Sequence, residues 1–263
     1  MVHAEAAAAA LLKEHDDRTP FHSIRADYSI DDLDDAYEIQ ASLVRRLRER
    51  NNADIAGYKI GLTSPRMQTM CGIPHPIGGS VLRNRVHASG GKAVLSDFVH
   101  LGVECEIAVR IGRDLSDGHL PSTVGEMAEA IAGIAPALEL VEDRQADYKS
   151  LDMLTLVADN SWNAGVVLGE FRESWPDLEA VEGVVERNGE VLDRGHGRDV
   201  MGHPFVPLLW LCRHLAKRGN TLRAGDIVMT GSMTPTYFPS SDESIRFSLG
   251  SLGAVEYRFK ARD

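Results

Sequence analysis

The 263-residue chain has few cysteines, a deficit of positive charge and no long hydrophobic run, and each scarcity excludes a class of protein. Its 3 cysteines are scattered, which excludes a disulfide framework and makes a cytoplasmic setting the expectation. With 28 basic against 39 acidic residues, the net charge of -11 does not favour binding to nucleic acid or to a membrane surface. No run reaches the ~20 apolar residues of a membrane span. The alanine-rich run over 6–12 lacks the basic start of a signal peptide, so we expect a helix there.

What remains is the composition of a globular protein, with 43% hydrophobic and 25% charged residues. A second helix is predicted after the alanine-rich one, because apolar residues recur at helical spacing between Ile30 and Leu47. Acidic residues open this stretch and arginines close it, as the helix macrodipole favours. We therefore expect a helical N-terminal segment over residues 1–54.

Strand patterns dominate the rest of the chain. They occur at 55–62, 103–110, 164–168, 226–230, 245–249 and 254–259, with a type I′ hairpin turn at Asn188-Gly189. Helices are predicted over 124–134 and over 206–218, where Gly219 ends the second. Because helices and strands do not alternate one for one, a doubly wound parallel sheet is not expected. The pattern favours an α+β fold with a mixed, mainly antiparallel core over residues 55–263.

Two glutamates in one strand pattern are the most informative feature. Glu104 and Glu106 occupy alternate positions, so both carboxylates lie on one face, whereas Cys105 points to the core. Like charges on a half-buried strand are costly unless a cation lies between them. Glu139 is a third acid in an apolar run, although the sequence does not bring it to the other two. Oxygen ligands favour Mg²⁺ or Mn²⁺ over Zn²⁺. An exposed alternating strand is the alternative.

Six short blocks in order resemble the fumarylacetoacetate hydrolase superfamily, specifically its branch of 2-keto-4-pentenoate (2-hydroxypenta-2,4-dienoate) hydratases and 4-oxalocrotonate decarboxylases. The blocks are GYKIGLTS (57–64), ECEI (104–107), PALE (136–139), VADN (157–160), GHP (202–204) and DIVMTG (226–231). This resemblance implies a β-roll core with flanking helices and homo-oligomeric assembly, with a pathway enzyme as a further candidate partner.

The resemblance also implies roles for individual residues. The implied ligands of Mg²⁺ or Mn²⁺ are Glu104, Glu106 and Glu139, and the implied substrate contacts are Lys59, Ser64, Thr230 and Gly231. Lys59 would supply positive charge or a proton, whereas a lysine taken alone is most often a surface residue. Asp159 either orients metal-bound water or Lys59, or caps a turn.

One departure from the family pattern bears on the reaction. The hydratases usually carry Pro-Asp-hydrophobic-Gly after the first block, whereas this chain has HPIGGS over 75–80. If the missing aspartate delivers water or a proton in the hydratases, then either His75 or Ser80 replaces it here, or the reaction differs.

The leading interpretation is a metal-dependent hydratase of a 2-hydroxy-2,4-dienoate, giving a 4-hydroxy-2-oxo acid in aromatic or steroid ring catabolism. Such a 2-oxo or 2-enol carboxylate chelates a cation, which stabilises the enolate. A decarboxylase of a 2-oxo-3-enedioate passes through the same kind of dienolate. An acylpyruvate C–C hydrolase needs a His-Glu pair, and His22 and His75 show no evident glutamate partner. A non-catalytic subunit of a hydratase-decarboxylase complex is the remaining alternative.

Overall fold

Two β-sheets and a layer of helices form this α+β protein. The computed structural model describes residues 3–115, 118 and 120–261. Its helices are α1 (Ala4–Asp17), α2 (Arg25–Tyr28), α3 (Leu33–Asn51), α4 (Pro65–Cys71), α5 (Val124–Ala128), α6 (Met153–Ala158) and α7 (Val206–Lys217). Its strands are β1 (Ile55–Gly61), β2 (Ile77–Leu82), β3 (Val86–Ala88), β4 (Lys92–Val94), β5 (Leu101–Ile111), β6 (Ile131–Glu142), β7 (Asn163–Leu168), β8 (Glu182–Arg187), β9 (Glu190–His196), β10 (Ile227–Ser232), β11 (Glu243–Ser248) and β12 (Ala254–Lys260). None of the helices in these described ranges is long and apolar enough to cross a membrane.

The sheets are mixed and mainly antiparallel, as predicted. The larger has the strand order β2-β1-β10-β5-β6-β7-β3 and the smaller β4-β12-β11-β8-β9. Within the described residues, parallel pairing is limited to β1 with β10, β3 with β7, and β4 with β12. All six predicted strands correspond to observed ones, and Asn188 and Gly189 both have the positive φ of a type I′ turn (52° and 85°). The long strands β5 and β6 lie at the centre of the larger sheet.

The predicted helix over 124–134 is wrong in its second half. Helix α5 ends at Ala128, and β6 begins at Ile131. Strand β6 pairs with both β5 and β7 and is buried on both faces, so its sequence is an almost continuous apolar run. Periodicity cannot separate such a run from a buried helix, and the pairing with two neighbouring strands decides for the strand.

The N-terminal helices pack against the larger sheet rather than forming a separate core. Helix α3 begins at Asp32, whose side chain accepts a hydrogen bond from the Asp35 backbone N–H, and the chain turns at the left-handed Asn52. Leu11 of α1 and Leu43 of α3 share one hydrophobic cluster with residues of β2, β6 and α6. The division that the sequence suggests at residue 54 coincides with the start of β1, but the two parts share this core.

Candidate metal and substrate site

Three glutamate side chains converge at the centre of the larger sheet. One carboxylate oxygen each from Glu104, Glu106 and Glu139 lies within 4.8 Å of the others. Glu106 and Glu139 are 0% exposed, and Glu104 is partly buried. Lys59 on β1, itself 4% exposed, adds one positive charge, because its Nζ lies 3.2 Å from Glu139 Oε1. The cluster therefore brings three acidic groups and one basic group together in a largely buried place.

The strand register explains this convergence. Glu104 on β5 lies directly opposite Glu139 on β6, and Glu106 lies opposite Ala137. Opposed residues of an antiparallel pair share a face of the sheet, as do residues two apart on one strand. All three carboxylates therefore point to the same side, where the small Ala137 leaves room. Like charges directly opposite one another destabilise a sheet, so this pairing is unfavourable without a counter-charge.

Each carboxylate has one oxygen held by a protein hydrogen-bond donor. The Thr236 hydroxyl donates to Glu104 Oε1 (2.6 Å), and the Gly231 backbone N–H donates to Glu106 Oε2 (2.8 Å). Asn163 Nδ2 donates to Glu139 Oε1 (2.9 Å), the oxygen that Lys59 also contacts. Donors of this kind orient metal-binding carboxylates in proteins.

The opposite oxygens of the two buried glutamates are unpaired. Within the described residues, Glu106 Oε1 and Glu139 Oε2 have no hydrogen-bond partner. An unsatisfied buried acceptor costs about 1–3 kcal/mol, and a shared cation would satisfy both oxygens at once. Burial raises the pKa of Glu106 well above its ordinary value, and the charges of Glu139 and Glu104 add to the effect. Burial also raises the pKa of Glu139, although Lys59 opposes it. The residues fit a divalent metal ion with oxygen ligands.

The three glutamates favour the charged form of Lys59. Burial by itself lowers the pKa of Lys59, but the charges of Glu139, Glu104 and Glu106 more than offset it and leave the pKa above its ordinary value. A buried lysine that stays cationic supplies a fixed positive charge beside the glutamates.

A cavity of about 450 Å³ adjoins the cluster. Its polar lining consists of charged and hydroxyl-bearing residues, namely Lys59, Arg66, Glu104, Asp199, Thr63, Ser64, Tyr148, Ser161, Ser232, Thr234 and Thr236. The rest of the lining is mostly apolar and includes Leu62, Met67, Ile77, Leu151, Met153 and Trp162. Apolar walls combined with polar groups that fix the orientation of a ligand are typical of a small-molecule site. The lining suits a ligand that has both charged groups and a hydrocarbon part.

Comparison with known protein families assigns the chain to one of them. The model described as fumarylacetoacetate (FAA) hydrolase, C-terminal, matches residues 78–260. The chain belongs to the fumarylacetoacetate hydrolase family. The six-block resemblance is thus confirmed. The matched residues include the three glutamates, whereas α1, α3 and Lys59 lie before them.

Curated relatives within this family carry two kinds of name. The chain is 32% identical to a 4-oxalocrotonate decarboxylase of Pseudomonas putida over 252 residues, which cover 95% of this chain and 92% of that protein. It is 33% identical to a 2-keto-4-pentenoate hydratase of Burkholderia vietnamiensis over 229 residues, with 85% of each covered. A solved structure of 4-oxalocrotonate decarboxylase from Pseudomonas putida G7, complexed with magnesium and adipate, matches with a TM-score of 0.89, 29% identity and 97% of each chain covered.

Two of the predicted substrate contacts of this family member serve the protein itself. The Thr230 hydroxyl donates to the Ile107 carbonyl (2.9 Å), and the Gly231 N–H holds Glu106. Ser64 lines the cavity and also caps α4, where its hydroxyl accepts from the Met67 N–H (3.3 Å). Gly231 therefore acts on the site through a glutamate.

Three other predicted site residues lie outside this cavity. The His75 ring stacks on Trp210 (6.0 Å between centroids) in an outward cleft. Ser80 and Asp159 line a separate cavity on the side of the N-terminal helices. Asp159 is 2% exposed and is paired with Arg144. His22 does have a glutamate partner, Glu14 at 3.5 Å, but neither residue lines the cavity beside the three glutamates.

Sequence reasoning missed two residues that hold the glutamates. Asn163 and Thr236 lie 24 and 132 residues from the carboxylates they contact. Asn163 is close to the VADN block, which could have suggested it, whereas nothing in the sequence around Thr236 points to Glu104. The structure also places Ile77 at the site, because the side chain of Ile77 and Lys59 Nζ both lie next to Gly61. An apolar residue thus occupies the region of the aspartate expected in the hydratases.

Proposed function

We propose that this chain is a divalent-metal-dependent hydratase that converts a 2-hydroxy-2,4-dienoate to a 4-hydroxy-2-oxo acid in aromatic or steroid ring catabolism. The observation that carries the proposal is the pair of unpaired buried oxygens, Glu106 Oε1 and Glu139 Oε2, beside Lys59 and next to a mostly apolar cavity. Two relatives named for the hydratase and decarboxylase reactions on such acids support the substrate class.

The residues support enolate chemistry in a specific way. Glu104, Glu106 and Glu139 would hold the metal ion, and the bound cation supplies positive charge that stabilises an enolate. Lys59 adds a second positive charge from the same face of the sheet. Ser64 lines the cavity, and its hydroxyl, which accepts from the Met67 N–H, can still donate to water or to the substrate.

The cavity also supports a hydrocarbon tail on the substrate. Leu62, Met67, Leu151 and Met153 line it, and burying their surface against a dienoate carbon chain is favourable at about 25 cal/mol per Å². Methionine side chains adapt to different tail shapes. We therefore expect the enzyme to accept more than one substituent at the far end of the dienoate.

Decarboxylation of a 2-oxo-3-enedioate is the second candidate, and Ile77 is the observation that favours it. Ile77 is 2% exposed and faces the same side of the sheet as Lys59. An isoleucine cannot donate or accept a proton, so it does not assist the delivery of water. Apolar surroundings also favour the loss of a charged carboxylate as CO₂, because they solvate it poorly.

One incubation separates these reactions. The protein is mixed with 2-hydroxypenta-2,4-dienoate or with a 2-oxo-3-enedioate in the presence of Mg²⁺ or Mn²⁺, and both dienol absorbance and released CO₂ are followed. Hydration consumes the dienol without CO₂, whereas decarboxylation releases one CO₂ for each enedioate consumed. A protein that is inert to both substrates with either ion would overturn the proposal.

The finer features of the enzyme belong to the same proposal. We take Mg²⁺ or Mn²⁺ as the cation, because three carboxylates are hard oxygen ligands. We also propose homo-oligomeric assembly, a pathway partner enzyme and a cytoplasmic location, and the family resemblance and the acidic, cysteine-poor composition support these proposals. We also propose that residues 55–263 form the catalytic unit, with residues 1–54 as a helical segment packed on it.

A further inference from the structure

A strained backbone segment, Asn160 to Trp162, separates the catalytic cavity from the N-terminal helices. The φ angles of its three residues are 50°, 49° and 61°, in the left-handed region that residues other than glycine avoid. Ser161 and Trp162 line the catalytic cavity, and Trp162 also packs into the cluster that contains α1 and α3. Such strain persists only where surrounding contacts impose it.

Strand β2 holds the segment on one side. The Asn160 side chain accepts from the Ser80 backbone N–H (2.8 Å) and donates to the Ser80 carbonyl (2.9 Å). The Ser161 hydroxyl donates to the Gly78 carbonyl (3.0 Å). Between these residues, a side chain at position 79 would approach the Asn160 carbonyl oxygen to 2.6 Å, so Gly79 allows the close fit.

A buried ion cluster centred on Asp159 holds the other side. Asp159 directly precedes the segment, and its carboxylate lies 2.8 Å from Arg144 Nη2 and 2.6 Å from His15 Nε2. Arg144 is 0% exposed and also contacts Glu14 (3.0 Å). His15 and Glu14 both belong to α1, which lies before the residues that the family model matches.

Asn163 directly follows the segment and donates to Glu139 Oε1, which leaves Glu139 Oε2 free. We propose that Asp159 is a positioning residue that acts through the strained segment on Asn163, and thereby sets the affinity of the three-glutamate site for its cation. This inference rests on the proposed metal site. Because His15 contacts Asp159, helix α1 would also help to position the ligands of that site.

Binding of Mn²⁺, followed by the electron paramagnetic resonance signal of the free ion, tests the inference without relying on turnover. Asp159→Asn and Asn163→Ala should each weaken Mn²⁺ binding by about tenfold or more, the range seen when residues that orient metal ligands are removed. The double variant should bind no more weakly than the weaker single variant, because both substitutions interrupt one line of contacts.

Substitutions in α1 provide a milder variant and a matched control. His15→Gln removes one of the two partners of Asp159 and should weaken Mn²⁺ binding by less than Asp159→Asn does. Glu5→Gln breaks exposed ion pairs that join α1 to Arg45 and Arg46 of α3. None of these three residues contacts the segment 160–162 in the hydrogen bonds and ion pairs described above. The Glu5→Gln variant should bind Mn²⁺ like the unaltered protein.

Each contrary result has a separate meaning. An Asp159→Asn variant that is folded by circular dichroism and binds Mn²⁺ normally would overturn the inference. So would additive losses in the double variant, since they would show that Asp159 and Asn163 act independently. If Asp159→Asn does not fold, unchanged Mn²⁺ binding by His15→Gln overturns it. Unaltered protein that does not bind Mn²⁺ contradicts the proposed function instead.

Discussion

At the scale of single residues, Glu106 is the most constrained member of the glutamate cluster. It is fully buried, one oxygen is held by Gly231, and the other has no partner among the residues that the structure describes. Burial and the charges of Glu139 and Glu104 raise its pKa more than the Gly231 N–H and Lys59 lower it, so a bound cation would supply the missing stabilisation of its charge.

Glu106→Gln should therefore abolish turnover by weakening metal binding about 100-fold or more. The amide keeps the size of the side chain but removes its charge, so the metal-free protein should lose no stability. Isothermal titration with Mn²⁺ and urea unfolding in a chelator measure the two effects. Glu38→Gln, on the exposed face of α3, is the control. Near-normal turnover and metal affinity in Glu106→Gln would contradict the assignment of Glu106 as a metal ligand.

At the scale of elements, the end of β10 fits closely against the loop that follows β1. Gly231 has a φ of 114°, and a side chain there would approach Thr63 Oγ1 to 2.1 Å. At this position, the Gly231 N–H donates to Glu106 on the neighbouring strand β5. A larger residue must push the loop away, and the loop begins directly after the strand that carries Lys59.

Gly231→Ala should lower the free energy of unfolding by more than the cost of placing alanine at a positive φ, because the added Cβ also meets Thr63. It should also weaken metal binding. Gly189→Ala is the matched control, because Gly189 has a φ of 85° but no atom within 4 Å of its added Cβ. We expect about 1 kcal/mol for Gly189→Ala and clearly more for Gly231→Ala, measured by urea unfolding. Equal losses in the two variants would mean that the contact with Thr63 is unimportant.

The docking of α1 should depend on pH through His15. The charge of Asp159 raises the pKa of His15, although burial and Arg144 oppose this and Glu142 assists it. Burial alone would raise the pKa of Asp159, but His15 and Arg144 hold it below its ordinary value. The contribution of His15 to stability is therefore full below its unfolded pKa of about 6.5 and is lost as pH rises through its raised folded pKa.

His15→Gln should lower the free energy of unfolding by about 1.5–3 kcal/mol at pH values near 5.5, the range for hydrogen bonds to charged groups. The difference from the unaltered protein should shrink at high pH, where His15 is neutral in both states. Urea unfolding across this pH range gives the comparison, with Glu5→Gln as a variant that has no histidine-dependent change. A difference that grows with pH would show that the sign is wrong.

At the scale of the whole molecule, one bound cation should stabilise the fold that assembles its ligands. The glutamates come from β5 and β6, which form the centre of the larger sheet, so unfolding destroys the site. A ligand at 100 times its dissociation constant adds about 2.7 kcal/mol, which for a chain of this size raises the Tm by about 5–10 °C. Thermal unfolding with Mg²⁺ or Mn²⁺ and with a chelator measures this shift. An unchanged Tm, or an equal shift in Glu106→Gln, would contradict it.

Across the whole molecule, the features that the sequence predicted are those with a local pattern or a fixed order along the chain. Strand alternation placed Glu104 and Glu106 on one face, and the family blocks added Glu139 and Lys59, because these signals are local or keep their order along the chain. The helix over 124–134 failed because a buried strand and a buried helix share one apolar pattern.

By itself, the sequence determined the fold class, the family and the residues that form the acidic cluster, since these depend on local periodicity and on short ordered motifs. Only the tertiary structure decided which carboxylate oxygens have no partner among the described residues. It also decided that Ser80 and His75 lie outside the cavity beside the glutamates, and that His15 contacts Asp159 across 144 residues. Those features depend on the register of strands and on contacts between distant segments. No local pattern of residues encodes them.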